Sequence, residues 1–347
     1  MHKPRLLLFA GVLFTATAAA SAADAPKPAP NSADEPIAKT MSLSRSAEFL
    51  DAVALNWTTQ RQCGTCHTNY PYLLARPSLP ASRNDSAAQI RRFFEDRAAG
   101  WDKDDRASQP RNDTEVVATA ATLAFNDAQT TGKLNPLTRG ALDRMWTLQR
   151  TDGAWDWEKC TWPPFEFDDY YGAVYAAVGV GAAPDGYAKT DKARQGLDRL
   201  RAYFRKTPAP NLHHKTWLLW ASMKVDGLMT DEQQAQTIKE LRALRHKDGG
   251  WSLASLADWK GFDGRANDAA SPSDGYGTGF VVYAMRQAGV PAADDAIQGG
   301  VKWLKGNQRE SGRWFTRSLN TDRYHFISHA GTAFAVMALA ACDEAGK

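Results

Sequence analysis

One short pattern occurs three times in the chain and constrains its fold more than any other feature of the sequence. The copies share a polar residue, a glycine four positions later and a tryptophan two positions after that; they run from Gln149 to Trp155, from Arg245 to Trp251 and from Gln308 to Trp314. Apolar residues at helical spacing precede and follow each copy, so the unit is predicted to be helix, glycine turn, loop and helix. One such hairpin cannot bury its apolar face alone, and neighbouring units must therefore stack.

Weaker copies of the same unit fill the rest of the chain. One runs from Ala87 to Trp101 and from Glu115 to Phe125, and another from Ala193 to Phe204 and from Leu212 to Val225. Together with the segment that begins at Ala47, the chain contains six helical hairpins. Six hairpins close a ring in which second helices lie inside and first helices outside. The prediction is an all-α fold, a single α/α toroid.

The repeated turns resemble the QW repeats of squalene-hopene cyclases and prenyltransferases, and residues 46–343 are similar to one α/α barrel of that terpenoid cyclase-like superfamily. The resemblance implies a hydrophobic small-molecule or lipid substrate of the polyprenyl type. It does not specify the reaction, because barrels of this shape also occur in polysaccharide lyases and in thioester domains without catalysis. A non-catalytic ligand-binding barrel therefore remains an alternative.

The N-terminus is typical of a secretory signal peptide. Lys3 and Arg5 precede an apolar run from Leu6 to Ala20, and small residues follow up to Ala23. The apolar run is too short to span a bilayer, so we expect residues 1–23 to be removed on export to the periplasm or the extracellular space. The next segment, 24–45, is rich in proline and alanine and is predicted to be a tether.

The remaining composition excludes some classes of function. The formal net charge is only +3, which gives no electrostatic case for nucleic-acid binding. No later apolar run is long enough for a transmembrane segment. The 12 Trp residues are many for this length, and such side chains line cores or apolar cavities.

Long loops follow the three tryptophan turns and are predicted to gather at the mouth of the barrel. They span residues 156–165, 252–273 and 315–324. Loops of this length in a compact domain are usually functional. Their aromatic residues are Trp157, Trp162, Trp259, Phe262, Phe315 and Tyr324.

An acidic motif, Glu166-Phe-Asp168-Asp169, is predicted to begin the inner helix after the first tryptophan turn. Carboxylates in a first helical turn are favoured by the helix dipole, which is a purely structural explanation. The motif also resembles the Asp-x-Asp-Asp acid motif of class II terpene cyclases. That resemblance implies that Asp168 is the general acid, kept protonated by Asp169 and Glu166.

Further polar residues are predicted to face the same cavity. By the resemblance, His213 or His214 would assist Asp168 through a hydrogen bond. Asp274, at the start of the fifth inner helix, is another candidate, with Ser271 or Ser273 as the N-cap of that helix.

The first hairpin differs from the others. It keeps the Gln and Gly of the repeated turn, at Gln60 and Gly64, but has Cys66 in place of the tryptophan. With Cys63 and His67 this makes a C-x-x-C-H motif, the pattern of covalent c-type haem attachment through two thioethers and an axial imidazole. Export favours this interpretation because haem attachment takes place outside the cytoplasm.

Two alternatives to haem c remain open. Cys63, Cys66 and Cys160 could form a disulfide or a metal site, because Cys160 follows another turn and is expected at the same mouth. The cysteines could also be reduced and incidental. If haem binds, His67 is the proximal ligand and a redox partner is implied. Candidates for the other axial ligand are His213, His214, His325 and His329.

Overall fold

The computed structural model describes residues 30–80, 85–103, 109–261 and 263–343. The predicted signal peptide, residues 24–29 of the predicted tether, and Phe262 lie outside them. The described residues form twelve α-helices: α1 Leu43–Arg61, α2 Asn69–Ala75, α3 Ser86–Gly100, α4 Asp113–Thr130, α5 Pro136–Leu148, α6 Asp169–Ala182, α7 Asp191–Lys206, α8 Leu212–Ser222, α9 Asp231–Ala243, α10 Gly275–Gln287, α11 Asp295–Asn307 and α12 Ile327–Ala341.

The helices form two concentric rings. Even-numbered helices contact one another in order from α2 to α12, and α12 returns to contact α2, which closes the inner ring. Odd-numbered helices lie outside and pack on them. The outer helix α7 buries one apolar stripe, whereas α12 is buried from Ile327 to Leu339, as expected of a helix enclosed on all sides. The predicted α/α toroid of six hairpins is confirmed.

The three tryptophan turns share one geometry. Trp155, Trp251 and Trp314 are fully buried, and each indole Nε1 donates to the carbonyl ten residues earlier at 2.7 to 2.8 Å. The glycine two positions before each tryptophan has φ between +92° and +103°, a region that favours glycine. Each turn is therefore held by a buried indole that ties it to the preceding outer helix.

The last turn closes the ring through a side-chain amide. Gln308 accepts from the Ser42 amide at 2.7 Å, and its Nε2 donates to Ser46 Oγ, also at 2.7 Å. Gln149 makes the equivalent contact to the carbonyl of Gly196 in the next outer helix, at 3.0 Å. The turn glutamines thus join neighbouring hairpins.

Part of the predicted tether packs on the barrel. The amide of Ala38 donates to the carbonyl of Gln308 at 2.7 Å, and Glu35 pairs with the buried Arg313 at 2.5 Å. The helix α1 begins at Leu43, inside the segment that was expected to be a linker. Residues 35–38 therefore lie against the last turn rather than apart from it.

The centre of the ring is filled by aromatic side chains. Six rings from four inner helices contact one another there: Tyr171, Tyr175, Trp217, Tyr276, Phe280 and Phe334. The cavity left between four of these rings and α2 is only about 10 Å³, no more than the space for one water molecule. The shared open hollow expected at the centre is therefore not formed.

None of the helices in the described ranges has the length and apolarity that a bilayer span requires.

Candidate functional site

The C-x-x-C-H motif lies in the turn between α1 and α2, and this turn differs from the tryptophan turns. Gln62 ends α1 in the left-handed conformation, at φ 50°, whereas Gly64 does not share the positive φ of the turn glycines. A Cβ at Gly64 would lie 2.2 Å from the hydroxyl of Tyr70, so glycine is needed here for close packing. Gly64 therefore aligns with the turn glycines in sequence but does not share their backbone conformation.

A cavity of about 610 Å³ opens beside this turn, and we call it the mouth cavity. The three motif residues Cys63, Cys66 and His67 line it. Its remaining walls come from the first three hairpins and the last: Trp57, Arg61, Gly64, Thr65, Tyr70, Arg111, Asn112, Thr114, Glu115, Glu158, Cys160, Trp162, Glu166, Tyr324 and His325. The structure thus brings together the predicted haem residues, the third cysteine, Glu166 and His325.

His67 is held in one orientation by a chain of hydrogen bonds. Its Nδ1 lies 2.8 Å from Thr68 Oγ1, which lies 2.9 Å from Nδ1 of His329. The ring of Trp57 packs edge-on against it, with centroids 4.9 Å apart. Burial, reinforced by His325 and His329, lowers the pKa of His67 well below its usual value, which favours the neutral imidazole that can bind a metal. Because Nδ1 is engaged, Nε2 is the nitrogen available to a ligand.

His325 occupies the same cavity with a similar arrangement. Its Nδ1 lies 3.0 Å from Ser318 Oγ, and its ring centroid lies 5.1 Å from that of His67. Its Nε2 is buried, lacks a hydrogen-bond partner and lies 3.8 Å from Oε2 of Glu166, which is likewise unpartnered. Two polar atoms without partners thus face each other beside the motif histidine.

The cysteines are free thiols in different surroundings. Burial, followed by the nearby Glu166, raises the pKa of Cys66 well above its usual value. Cys160 is exposed at the cavity edge, donates to Glu158 at 3.3 Å, and has its pKa raised to about 12 by burial and by that carboxylate. Across the described ranges, no three His, Cys, Asp or Glu side chains are grouped so that they could hold a metal ion. Within the described ranges Cys63, Cys66 and Cys160 belong to no such group, and all three are free thiols.

The acidic motif does not form the cluster that was expected of it. Glu166 precedes α6 in a tight turn bridged to Trp162, and it lines the mouth cavity. Asp168 is the N-cap of α6, and Asp169 pairs with Arg150 and Lys159 at 2.8 and 2.6 Å. The three carboxylates lie in different surroundings. Burial and the charge of Asp169 raise the pKa of Asp168, but the contacts with His214 and the Tyr171 amide lower it, and the pKa stays below its usual value.

The expected contact between Asp168 and a histidine of the fourth hairpin is present. Asp168 Oδ1 lies 3.1 Å from Nε2 of His214, whose Nδ1 is 2.7 Å from Asn211. Burial raises the pKa of Asp168, but the hydrogen bond and charge of His214 outweigh it and leave the pKa below its usual value. An aspartate in this state is ionised, not held as a protonated acid.

His213 belongs to the aromatic packing and does not contact Asp168. Its Nε2 lies 2.8 Å from the hydroxyl of Tyr276 and accepts from Nε1 of Trp217 at 3.3 Å. Burial lowers its pKa well below the usual value.

Asp274 links the loop after the second tryptophan turn to the start of α10. It is the N-cap of α10, in place of the expected Ser271 or Ser273, and it accepts from the Leu253 amide at 2.6 Å. Asp169 accepts from the Trp157 amide at 3.1 Å in the same way. Asp274 lines a separate cavity of about 390 Å³, distinct from the mouth cavity. Cys66, Asp168 and Asp274 therefore do not share one pocket.

Several residues that line the mouth cavity or contact its histidines were not singled out from the sequence. Thr68 directly follows the motif, and its position offered a signal for a hydrogen-bonding partner of His67. Arg61, Arg111 and Ser318 offered none. Segments far apart in the chain bring Arg61 and Arg111 to this cavity, and Ser318 lies beside it, 3.0 Å from Nδ1 of His325.

Comparison with known proteins gives a distant relation. No family model matches the chain. Over 127 residues, 33% of this chain, it is 28% identical to squalene-hopene cyclase from Bradyrhizobium diazoefficiens, and the match spans 18% of that protein's length. Among solved structures, it is similar to a possible member of the GH105 family from Klebsiella pneumoniae, with a TM-score of 0.49, 12% identity, and coverage of 78% of this chain and 81% of that one.

Proposed function

We propose that the chain is an exported c-type haem protein that uses a squalene-cyclase-like toroid as its scaffold. The observation that carries the proposal is that Cys63, Cys66 and His67 line one cavity of about 610 Å³, beside a turn that lacks the packed tryptophan of the three tryptophan turns. The N-terminal sequence supports export, and thioether formation to haem takes place outside the cytoplasm.

The residues present fit a haem group. Two free thiols stand beside a buried histidine whose Nδ1 is already bonded, which is the usual arrangement of a metal-binding imidazole. Trp57 and Trp162 supply apolar wall, and Arg61 and Arg111 supply the cations that haem propionates would pair with. A bound haem would supply one-electron chemistry.

The chain's own residues would position and shield the group. Thr68 holds the His67 ring, and Trp57 packs on its edge. Trp162 and Tyr324 stack at the cavity opening with centroids 6.5 Å apart, and Tyr324 is 53% exposed, so electrons would enter at this aromatic edge from a redox partner.

The test is to produce the full-length chain in a host with haem-attachment machinery and to record the Soret band and the pyridine haemochrome spectrum. We expect one covalent haem c per chain. The double variant Cys63→Ala/Cys66→Ala should lose it, whereas Cys342→Ala, which removes a buried thiol away from the cavity, should retain it. A colourless wild-type protein would contradict the proposal.

A second candidate is a terpene-cyclase-type proton transfer at Asp168, favoured by its 3.1 Å contact with His214 and by the distant relation to squalene-hopene cyclase. The filled ring centre and the lowered pKa of Asp168 oppose it. Incubation with squalene and mass-spectrometric search for cyclised products tests it. The candidate requires product from the wild type and none from folded Asp168→Asn.

A further inference from the structure

We infer that the cavity of about 390 Å³ beside the start of α10 binds a neutral sugar residue. We call it the side cavity. Its walls come from the last two hairpins and, at Ala33, from the N-terminal segment. Its volume falls within the range of about 300–1,000 Å³ that small-molecule sites in proteins occupy. The inference goes beyond the proposed function and does not depend on it.

The charged side chains that line the side cavity balance one another. Asp248 and Asp274 supply two carboxylates, and Arg309 and Arg317 supply two guanidinium groups. With two charges of each sign, the lining offers neither an anion nor a cation a net attraction. The cavity therefore favours a ligand without net charge.

Both carboxylates are already hydrogen-bonded by the protein. Asp248 accepts from the Ser273 hydroxyl at 2.8 Å and from the Trp303 indole at 3.1 Å. Asp274 accepts from the amides of Leu253 and Gly277 at 2.6 and 2.8 Å. Neither carboxylate is thus left alone to pair with a cationic ligand.

Part of the wall is aromatic and apolar. Trp303 and Phe315 line the side cavity together with Leu253 and Leu319. The bond from the Trp303 indole to Asp248 holds the larger of the two aromatic side chains in place. A sugar ring presents C–H groups on its faces, and an aromatic side chain offers such a ring a large and rigid apolar surface.

Two side-chain amides supply hydrogen-bond acceptors. Asn267 and Asn307 line the cavity, and each donates its Nδ2 to a backbone carbonyl, that of Trp259 at 3.1 Å and that of Trp303 at 2.8 Å. These bonds orient the amides, and the described chain gives neither Oδ1 a donor. Hydroxyl groups of a ligand would supply the missing donors.

The donors of the lining require acceptors as well. Arg309 gives one N–H to the carbonyl of Glu35 at 2.8 Å, whereas its Nε has no partner. A hydroxyl group is both a donor and an acceptor, so a ring that carries several of them satisfies amide oxygens and guanidinium groups together. A purely apolar ligand would leave these groups without partners, at a cost in free energy.

The experiment is saturation-transfer difference nuclear magnetic resonance on the full chain, with titration to obtain Kd. The probes are glucose, galactose and N-acetylglucosamine as neutral sugars, benzoate as an apolar anion and benzylamine as an apolar cation. We expect at least one of the sugars to bind and the two ionic probes not to bind.

Variants of the wall assign the binding to the side cavity. Trp303→Ala should raise Kd about tenfold, because it removes the aromatic surface. Asn307→Ala should raise it about fivefold, because it removes one acceptor. Asn56→Ala is the matched control, since Asn56 is a half-buried helical asparagine that lines neither the mouth cavity nor the side cavity, and it should leave Kd unchanged.

Three results would overturn the inference. The first is the absence of binding by every sugar in the wild type. The second is binding of benzoate or benzylamine in place of the sugars, which would assign the cavity to an ionic ligand. The third is sugar binding that Asn307→Ala and Asn267→Ala leave unchanged, and these two variants decide the question even if Trp303→Ala does not fold.

Discussion

The first turn of the toroid and its three tryptophan turns have related sequences but different structures. In the tryptophan turns, a buried indole bonds the preceding helix, and at Trp155 and Trp314 a glutamine six positions earlier bonds the next hairpin. In the first turn, Cys66 stands in place of the indole, α1 extends to Arg61, and a cavity of about 610 Å³ remains.

The difference shows that a repeat can lack the packed indole and leave a cavity in its place. An indole is among the largest side chains, so a thiol in its place leaves room beside the turn. The remaining turns keep the ring closed, which allows one turn to depart from the pattern. The comparison can be tested residue by residue.

The largest effect is expected at a tryptophan. Trp314→Ala removes a fully buried indole and its bond to Leu304, and should lower the free energy of unfolding by about 3–5 kcal/mol. Cys66→Ala in the haem-free protein should cost about 1 kcal/mol, because little volume is removed. Urea unfolding followed by far-UV circular dichroism measures both. Equal losses would contradict the claim that the buried indoles contribute more to stability than the thiol that replaces one of them in the first turn.

The next effect concerns the carboxylates that fasten the tryptophan turns. Burial raises the pKa of Asp274 from 3.8 to about 6, so the folded protein binds this proton more tightly than the unfolded chain. The contribution of Asp274 to stability is therefore full at low pH and is lost as the pH rises from about 4 through about 6, by up to about 3 kcal/mol. Denaturation at a series of pH values should show a smaller loss over this range in Asp274→Asn.

Asp169 provides the opposite case. Burial raises its pKa, but Lys159 and Arg150 outweigh burial and leave the pKa below its usual value. Its contribution is present at neutral pH and is lost as the pH falls through its folded-state pKa, so Asp169→Asn should flatten only the acid limb of the stability curve. The same pH response in both variants would refute the assignment of opposite environments.

A smaller effect is expected at the turn that closes the ring. Gln308→Ala removes the bonds to Ser42 and Ser46 and should lower the free energy of unfolding by about 2 kcal/mol. The matched change in the first turn is Gln60→Ala, at an exposed position, and should alter it by no more than about 0.5 kcal/mol. Chemical denaturation of the two variants measures both changes in the free energy of unfolding. A larger decrease in Gln60→Ala than in Gln308→Ala would contradict the comparison.

The smallest effect is expected at the third cysteine. Cys160 is exposed at the cavity edge and belongs to no metal-binding group in the described chain, so Cys160→Ser should leave the haem content unchanged. Haem quantification by pyridine haemochrome checks this. Loss of bound iron or zinc in this variant would instead favour a thiol metal site.

The fold followed from the sequence because its signal is repeated. Three tryptophan turns and two weaker units each specify the same hairpin, so errors in one copy do not change the ring. The residues of the candidate site each occur once in the chain, without a repeated pattern, and their positions were predicted less well. Asp168 was expected near a histidine, and the structure has His214 at 3.1 Å. The sequence did not predict that Glu166 and Asp169 lie in different surroundings. They do so because α6 begins only at Asp169, after a turn bridged from Trp162 to Glu166.

The sequence pattern also did not predict that aromatic side chains fill the centre of the ring. Tyr171, Trp217 and Phe334 could line a hollow or fill it, and only their packing decides which. Likewise, the pairing of His325 with His67 depends on a loop near the end of the chain meeting the first turn, a contact that no local spacing encodes.

The most direct test of the account is the mass of the tryptic peptide that contains Cys63 and Cys66, taken from protein made with haem-attachment machinery. We expect this peptide at its sequence mass plus one haem, and every peptide with a tryptophan turn at its unmodified mass. A peptide at its sequence mass alone, or less two hydrogens as a disulfide, would contradict the claim that the first turn holds a haem.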